Sequence, residues 1–323
     1  MSMEEQRSRR AFLAAGGGAT LGGCVLLGTS PGLFGLGRAG AAVDVLAAGS
    51  LPVVFDEHVG PAFAQETAYD YRGEFRGSNA IVRLVEADQK RPDVIVSADP
   101  ALLRDSLMPQ RVTWDAVFAT NELGVVYAPD TVVGDRLDAG EPWYRVLADS
   151  EVAVGRTDPN LDPLGYRTSM LFDLAERYYD RPGLASDLRE HSTTAGRESH
   201  LLASVESGNR PAAYCYRNMA ADHDLPFVEL PPALNFADPD RADHYATATY
   251  TTDQGTTVEG TPIRYAATVP ENADRPEGGR RFVEFLLSNP EVLRESGLVV
   301  PDALPQTNGQ PPEGIRQVSG GEQ

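Results

Sequence analysis

Between residues 43 and 97 the chain alternates short β-rich runs with amphipathic helical stretches, and no other feature constrains its fold as tightly. Residues 43–47, 69–75 and 94–97 read as strands. Residues 50–65 and 78–87 read as the helices between them, with Val53, Val54 and Phe63 on the apolar face of the first. A strand that runs parallel to its predecessor needs a crossover, and a helix packed on the sheet supplies it. This order therefore predicts an α/β, doubly wound parallel sheet. A second set follows: strand 152–154, helices 166–179 and 201–207, and strands 212–216 and 227–230. A polar loop, 236–244, leads into extended runs at 245–250 and 258–268, and helices at 278–287 and 291–296 close the series. The long extended run 116–128 separates the two sets. The pattern predicts two lobes, each a central sheet flanked by helices, with a cleft between them. The first lobe is expected from 43–125 plus 251–301, and the second from 126–250. Residues 302–323, rich in Gly, Pro and Gln, are expected to be disordered.

Residues 1–42 read as an export leader and linker. Arg9-Arg10 precede a weakly apolar, glycine-rich stretch, the pattern of a twin-arginine signal. Two endings are open: Leu21-Gly22-Gly23-Cys24 resembles a lipobox that would place a lipid on Cys24, and Ala39-Gly40-Ala41 is a small-residue cleavage site. Either one predicts an extracytoplasmic protein, anchored to the outer face of the membrane in the first case. The chain holds 28 basic and 47 acidic residues, a formal charge of −19, and Lys90 is its one lysine. A nucleic-acid partner needs a basic footprint, which this balance excludes. Strong acidity with so little lysine suits a protein working in high salt, where the Debye length falls to about 3 Å and self-repulsion is screened. Cys215 lies in the apolar run Ala212-Ala213-Tyr214-Cys215-Tyr216 and reads as a small buried thiol. The five histidines have no metal-ligand spacing, so no intrinsic cofactor or resident metal is expected.

Ligands of doubly wound sheets lie beyond the carboxyl ends of the strands, at helix N-termini. That rule points to two similar junctions. Ala47-Ala48-Gly49-Ser50-Leu51 ends the first strand, and Arg76-Gly77-Ser78-Asn79-Ala80 ends the second. Ser50 and Ser78 are each placed to cap a helix, and capping alone accounts for either one. Together, at one sheet edge, they aim hydroxyls, backbone N–H groups and two positive dipole ends at one point, which suits a small oxyanion.

These junctions, with Val96-Ser97-Ala98-Asp99, Phe118-Ala119-Thr120-Asn121-Glu122, Asp158-Pro159-Asn160-Leu161-Asp162-Pro163-Leu164-Gly165-Tyr166-Arg167, Tyr216-Arg217 and Glu229-Leu230-Pro231, resemble the tungstate/molybdate-binding proteins of archaeal ABC transporters. The resemblance runs from about Val43 to Pro301 and is most specific in the Asp162–Arg167 segment. Leu164 departs from it where the family often has Cys, and Leu161 where a second Asp is common. The resemblance implies a two-lobed periplasmic-binding-protein type II fold and a monomer that hands tungstate or molybdate to a membrane permease. It further implies that Ser50, Ser78 and Tyr216 hydrogen-bond the anion, while Asp162 and Glu229 add oxygens to its metal centre. Arg167 and Arg217 read as supports for the loops that carry these groups, and Asp99 as the cap of the short helix that follows it.

Charge alone sets Asp162 and Glu229 against an anion, because like charges repel strongly in a partly desolvated cleft. Mo(VI) and W(VI) can expand their coordination and take carboxylates as ligands, whereas sulfur and phosphorus do not readily do so. The same carboxylates would then reject sulfate and phosphate. Without the resemblance, Asp162 is a turn residue before Pro163 and Glu229 a solvated strand-end charge. Three alternatives remain: a binding protein for another tetrahedral oxyanion such as sulfate or phosphate, a secreted enzyme, and a surface adhesion or sensory module. The chain has no Gly-x-Ser-x-Gly elbow, P-loop or zinc-ligand motif, so it is not expected to be an enzyme.

Overall fold

The computed structural model of the 323-residue protein describes residues 41–149, 151, 153–196 and 198–320. The twin-arginine segment and Cys24 lie outside the described residues. Thirteen strands form two main sheets and a small hairpin among those residues. They are β1 (Ala41–Ala48), β2 (Tyr69–Arg76), β3 (Val94–Ser97), β4 (Trp114–Thr120), β5 (Leu123–Tyr127), β6 (Val154–Thr157), β7 (Ser192–Ala195), β8 (Ala212–Tyr216), β9 (Phe227–Glu229), β10 (Thr249–Thr251), β11 (Thr257–Glu259), β12 (Arg264–Thr268) and β13 (Gln306–Gly309).

The first sheet has the order β13-β4-β12-β3-β1-β2 and the second β7-β6-β8-β5-β9. β1 runs parallel to β2 and β3, and β6 parallel to β7 and β8, as the crossover rhythm predicts. β12, β5 and their partners run antiparallel, because these strands arrive from the other lobe rather than from a crossover helix. Each sheet carries helices, so the two-lobed type II fold is present. In the first lobe, Phe55 and Phe63 from the segment after β1 meet Phe282 of the helix Pro276–Ser288 edge to face, at centroid separations of 5.9 and 5.0 Å. Aromatic edges on aromatic faces add to the apolar burial that seats that helix on the sheet.

The extended run expected at 116–128 is two strands. β4 completes the first sheet and β5 begins the second, so the chain crosses at Asn121-Glu122. The run expected at 258–268 likewise divides between β11, in the hairpin, and β12, in the first sheet. The hairpin β10–β11 is tied to the second lobe through Asn160, whose side-chain carbonyl accepts from the Asp253 N–H at 2.9 Å. Sheet membership thus puts the crossings at residues 121–122 and 260–263, against the expected 125/126 and 250/251.

The expectation of a disordered tail beyond Pro301 is corrected. β13 adds an edge strand to β4, with Gln306 opposite Val117, and the helix Glu313–Val318 buries Ile315. Gly and Pro composition misled here because Pro-free Gln306–Gly309 can satisfy its backbone on an exposed sheet edge.

The register of the first sheet positions the site. Ala48 is level with Arg76, and Ala47 with Val96, so β1, β2 and β3 end together. Gly49-Ser50, Gly77-Ser78 and Ala98-Asp99 therefore emerge side by side at one edge, facing the second lobe.

Candidate functional site

Three hydroxyls predicted for the site are buried: Ser50, Ser78 and Tyr216. Each oxygen lies within hydrogen-bond distance of a fixed partner. Asn121 Nδ2 donates to Tyr265 Oη at 3.2 Å, and Tyr265 Oη shares a hydrogen bond of 2.9 Å with Ser50 Oγ in which either hydroxyl can donate. The Ala98 N–H donates to Ser78 Oγ at 3.1 Å. Arg167 Nη1 donates to Tyr216 Oη at 2.9 Å. A hydroxyl that is already accepting keeps one proton to donate. Ser78 and Tyr216 thus each keep a proton to donate, and Ser50 does so when Tyr265 is the donor of their pair. Burial pushes the Tyr216 and Tyr265 hydroxyls well above their usual range, so both stay protonated.

Two carboxylates meet these junctions. Asp162 caps the helix Pro163–Tyr178, where its Oδ1 accepts from the Gly165 N–H and from Thr157 Oγ1, both at 2.9 Å. Glu198 opens the helix Glu198–Glu206 directly after β7. Both residues are only 6 % exposed. Burial raises the pKa of each carboxyl, and their mutual repulsion raises Glu198 further. The glycines allow this approach: a Cβ at Gly49 would overlap the Glu198 carboxylate, and one at Gly77 would overlap the Leu161 carbonyl oxygen and Asp162 Cβ. Backbone can come this close only where no side chain stands. A cavity of about 680 Å³ opens along this seam, lined by Gly49, Gly77, Asp162 and Glu198 among others.

Glu229 is placed elsewhere. It ends β9 at the sheet edge, its side chain is 68 % exposed, and it pairs with Arg217, which also holds Glu122. Its carboxylate stands exposed at the strand end beside Arg217, so the buried carboxylate that accompanies Asp162 is Glu198. Glu198 escaped the sequence reading because the helix was expected to begin at 201, three residues late. The available signal was the strand-end, helix-start position that also marks Ser50 and Ser78. Asn121, Asn218 and Tyr265 were missed as well. Asn218 Nδ2 donates to the Ser50 carbonyl at 2.7 Å and its Oδ1 accepts from Asn121, so an amide network lies behind Ser50.

A family model described as bacterial extracellular solute-binding protein matches residues 43–298. A solute-binding protein of Halobacterium salinarum is 46 % identical over 96 % of this chain and 98 % of the relative. A Haloferax volcanii protein described as an ABC transporter molybdenum-binding protein is 41 % identical over 94 % of this chain and 96 % of its own. Among solved structures, the periplasmic molybdate-binding protein of Azotobacter vinelandii superposes with a TM-score of 0.60 at 14 % identity, over 81 % of this chain and all of that one. The sulfate-binding protein of Mycobacterium tuberculosis reaches 0.58 at 15 % identity, over 81 % and 88 %. At such identities the likeness is one of fold.

Proposed function

The chain belongs to the bacterial extracellular solute-binding protein family, and on that premise we propose that its cleft takes up molybdate or tungstate and delivers the anion to an ABC-transporter permease. The observation that carries this reading is the meeting of three buried hydroxyls, Ser50, Ser78 and Tyr216, with two buried carboxyls, Asp162 and Glu198, at the same junctions. The donors suit a small oxyanion. Ser50 and Ser78 present it from the first lobe, and Tyr216 from the second. The carboxylates suit only an anion that can offset their repulsion. A molybdenum or tungsten centre does so by accepting Asp162 and Glu198 as further oxygen ligands. The relative from Haloferax volcanii, described as molybdenum-binding, supports the same ligand class.

Sulfate has no vacant coordination position to offer, so any carboxylate oxygen of the pair that is not protonated opposes it. Hydrogen phosphate carries one proton and could satisfy one carboxylate, leaving the other opposed. Isothermal titration calorimetry of the mature chain in high salt with molybdate, tungstate, sulfate and phosphate separates these cases. Molybdate and tungstate are expected to bind, and sulfate not to. Sulfate binding as tight as molybdate would overturn the carboxylate-ligand role. X-ray absorption at the metal edge reads the coordination number directly: six supports the role of Asp162 and Glu198, and four removes it.

A further inference from the structure

We propose that Arg167 and Asp99 form a latch across the cleft, which holds the lobes together and aims the Tyr216 hydroxyl, so that breaking it limits release of the bound anion. The release step rests on the oxyanion reading above, while the latch itself does not.

Asp99 follows β3 in the first lobe, where its Oδ1 accepts from the Ala101 N–H at 3.0 Å and fixes the carboxylate. Two consecutive residues of the second lobe reach its other oxygen. Tyr166 donates its hydroxyl to Asp99 Oδ2 at 2.5 Å, and Arg167 Nη2 lies 3.3 Å from the same atom. Arg167 Nη1 also donates to the Ala98 carbonyl at 3.0 Å, in the first lobe, and to Tyr216 Oη at 2.9 Å, in its own. One guanidinium nitrogen thus joins both lobes and orients the buried Tyr216 hydroxyl.

Arg167 is fully buried, and among the described residues it is the one basic side chain in that state. Its Nε and Nη2 are buried without a hydrogen-bond partner. An open cleft would hydrate this group, so a buried guanidinium in this position belongs to the closed arrangement. Asp99 compensates its charge, and the two are separated from solvent by the same lobe contact they make. Arg167 is a positioning residue for Tyr216: it occupies an acceptor site on the hydroxyl and leaves the proton free to donate.

The test uses the full mature chain in high salt. Asp99→Asn keeps an acceptor for the Ala101 N–H and removes the charge. The double variant Asp99→Asn/Arg167→Gln removes both charges and leaves no lone buried ion if the single variant folds poorly. Small-angle scattering of the ligand-free chain is expected to show a larger radius of gyration in both. Chase of bound molybdate by excess tungstate is expected to show release about tenfold faster in Asp99→Asn, with association changed less than twofold. Tyr216→Phe is the control: it lacks the anion donor and is expected to weaken binding while leaving the ligand-free radius as in the wild type. An unchanged ligand-free radius in Asp99→Asn and in the double variant overturns the latch, whatever the cleft binds. A larger radius with unchanged release overturns the release-limiting role. A larger radius in a chain whose wild type binds no molybdate supports the latch and overturns the oxyanion reading instead.

Discussion

Two sets of charged side chains are buried in one cleft, and the fold treats them in opposite ways. Asp99 meets Arg167 and the Tyr166 hydroxyl, so its charge is complemented by groups of the protein itself. Asp162 and Glu198 are both raised by burial, and the Asp162 charge raises Glu198 further. A buried pair of opposite charges can be close to neutral in stability, but a buried pair of like charges costs stability until something arrives to satisfy it. Asp99 thus differs from Asp162 and Glu198 in its partners rather than in its burial.

The largest effect is expected at Glu198. Glu198→Gln should lower molybdate affinity about 100-fold or more, the loss of about 3 kcal/mol from a charge-assisted contact, read by calorimetry. The same change should raise the ligand-free melting temperature by about 2–4 °C, as relief of ~1 kcal/mol does in a domain of 150–250 residues. Opposite signs for affinity and stability would sharpen the contrast with Asp99, where both should fall. A lower melting temperature in Glu198→Gln would break it. Next is Tyr216→Phe, which removes one oriented donor and should cost about tenfold in molybdate affinity.

A smaller effect is expected at Asp222, in the second lobe, whose carboxyl is pushed up to about 7 by burial and by Glu57 of the first lobe. A carboxyl raised in the folded state holds its proton there while the unfolded chain, near 4, has released it. Stability should therefore fall as pH rises from about 4 to about 7, and Asp222→Asn should flatten that slope in thermal melts across the window. A slope as steep as wild type would show that Asp222 does not titrate there. The smallest effect is expected at Glu229. Glu229→Ala removes an exposed partner of Arg217 and should leave molybdate affinity within about twofold, because exposed ion pairs contribute little. A loss comparable to that of Glu198→Gln would return Glu229 to the site.

Much of the architecture was legible in the chain because strand ends and helix starts are local events. Gly49-Ser50 and Gly77-Ser78 could be read as sheet-edge junctions from their own neighbours, and both are buried at that edge. Which carboxylate enters the cleft was not legible in the same way. Glu229 and Glu198 are both strand-adjacent acids, and only the packing of the second sheet turns one outward and the other in. The amide network of Asn121, Asn218 and Tyr265 joins residues up to 144 positions apart, and no local pattern announces such a contact. The tail failed for the reverse reason: its composition suggested disorder, while an unpaired edge of β4 was available to receive it.

The place of β12 has a consequence for how the molecule is made. This strand lies between β3 and β4, in the middle of the first sheet, yet its residues, Arg264–Thr268, are synthesised long after both neighbours. Every strand of the second sheet is complete by Glu229. The lobe that the chain enters second can thus close while the lobe it starts with still lacks its centre. Loop closure on that scale is slow relative to local pairing. The vacant slot between β3 and β4 is then a docking place for unfolded chain during biogenesis, and destabilising substitutions in β12 should reduce the yield of soluble protein more than equal ones in β8.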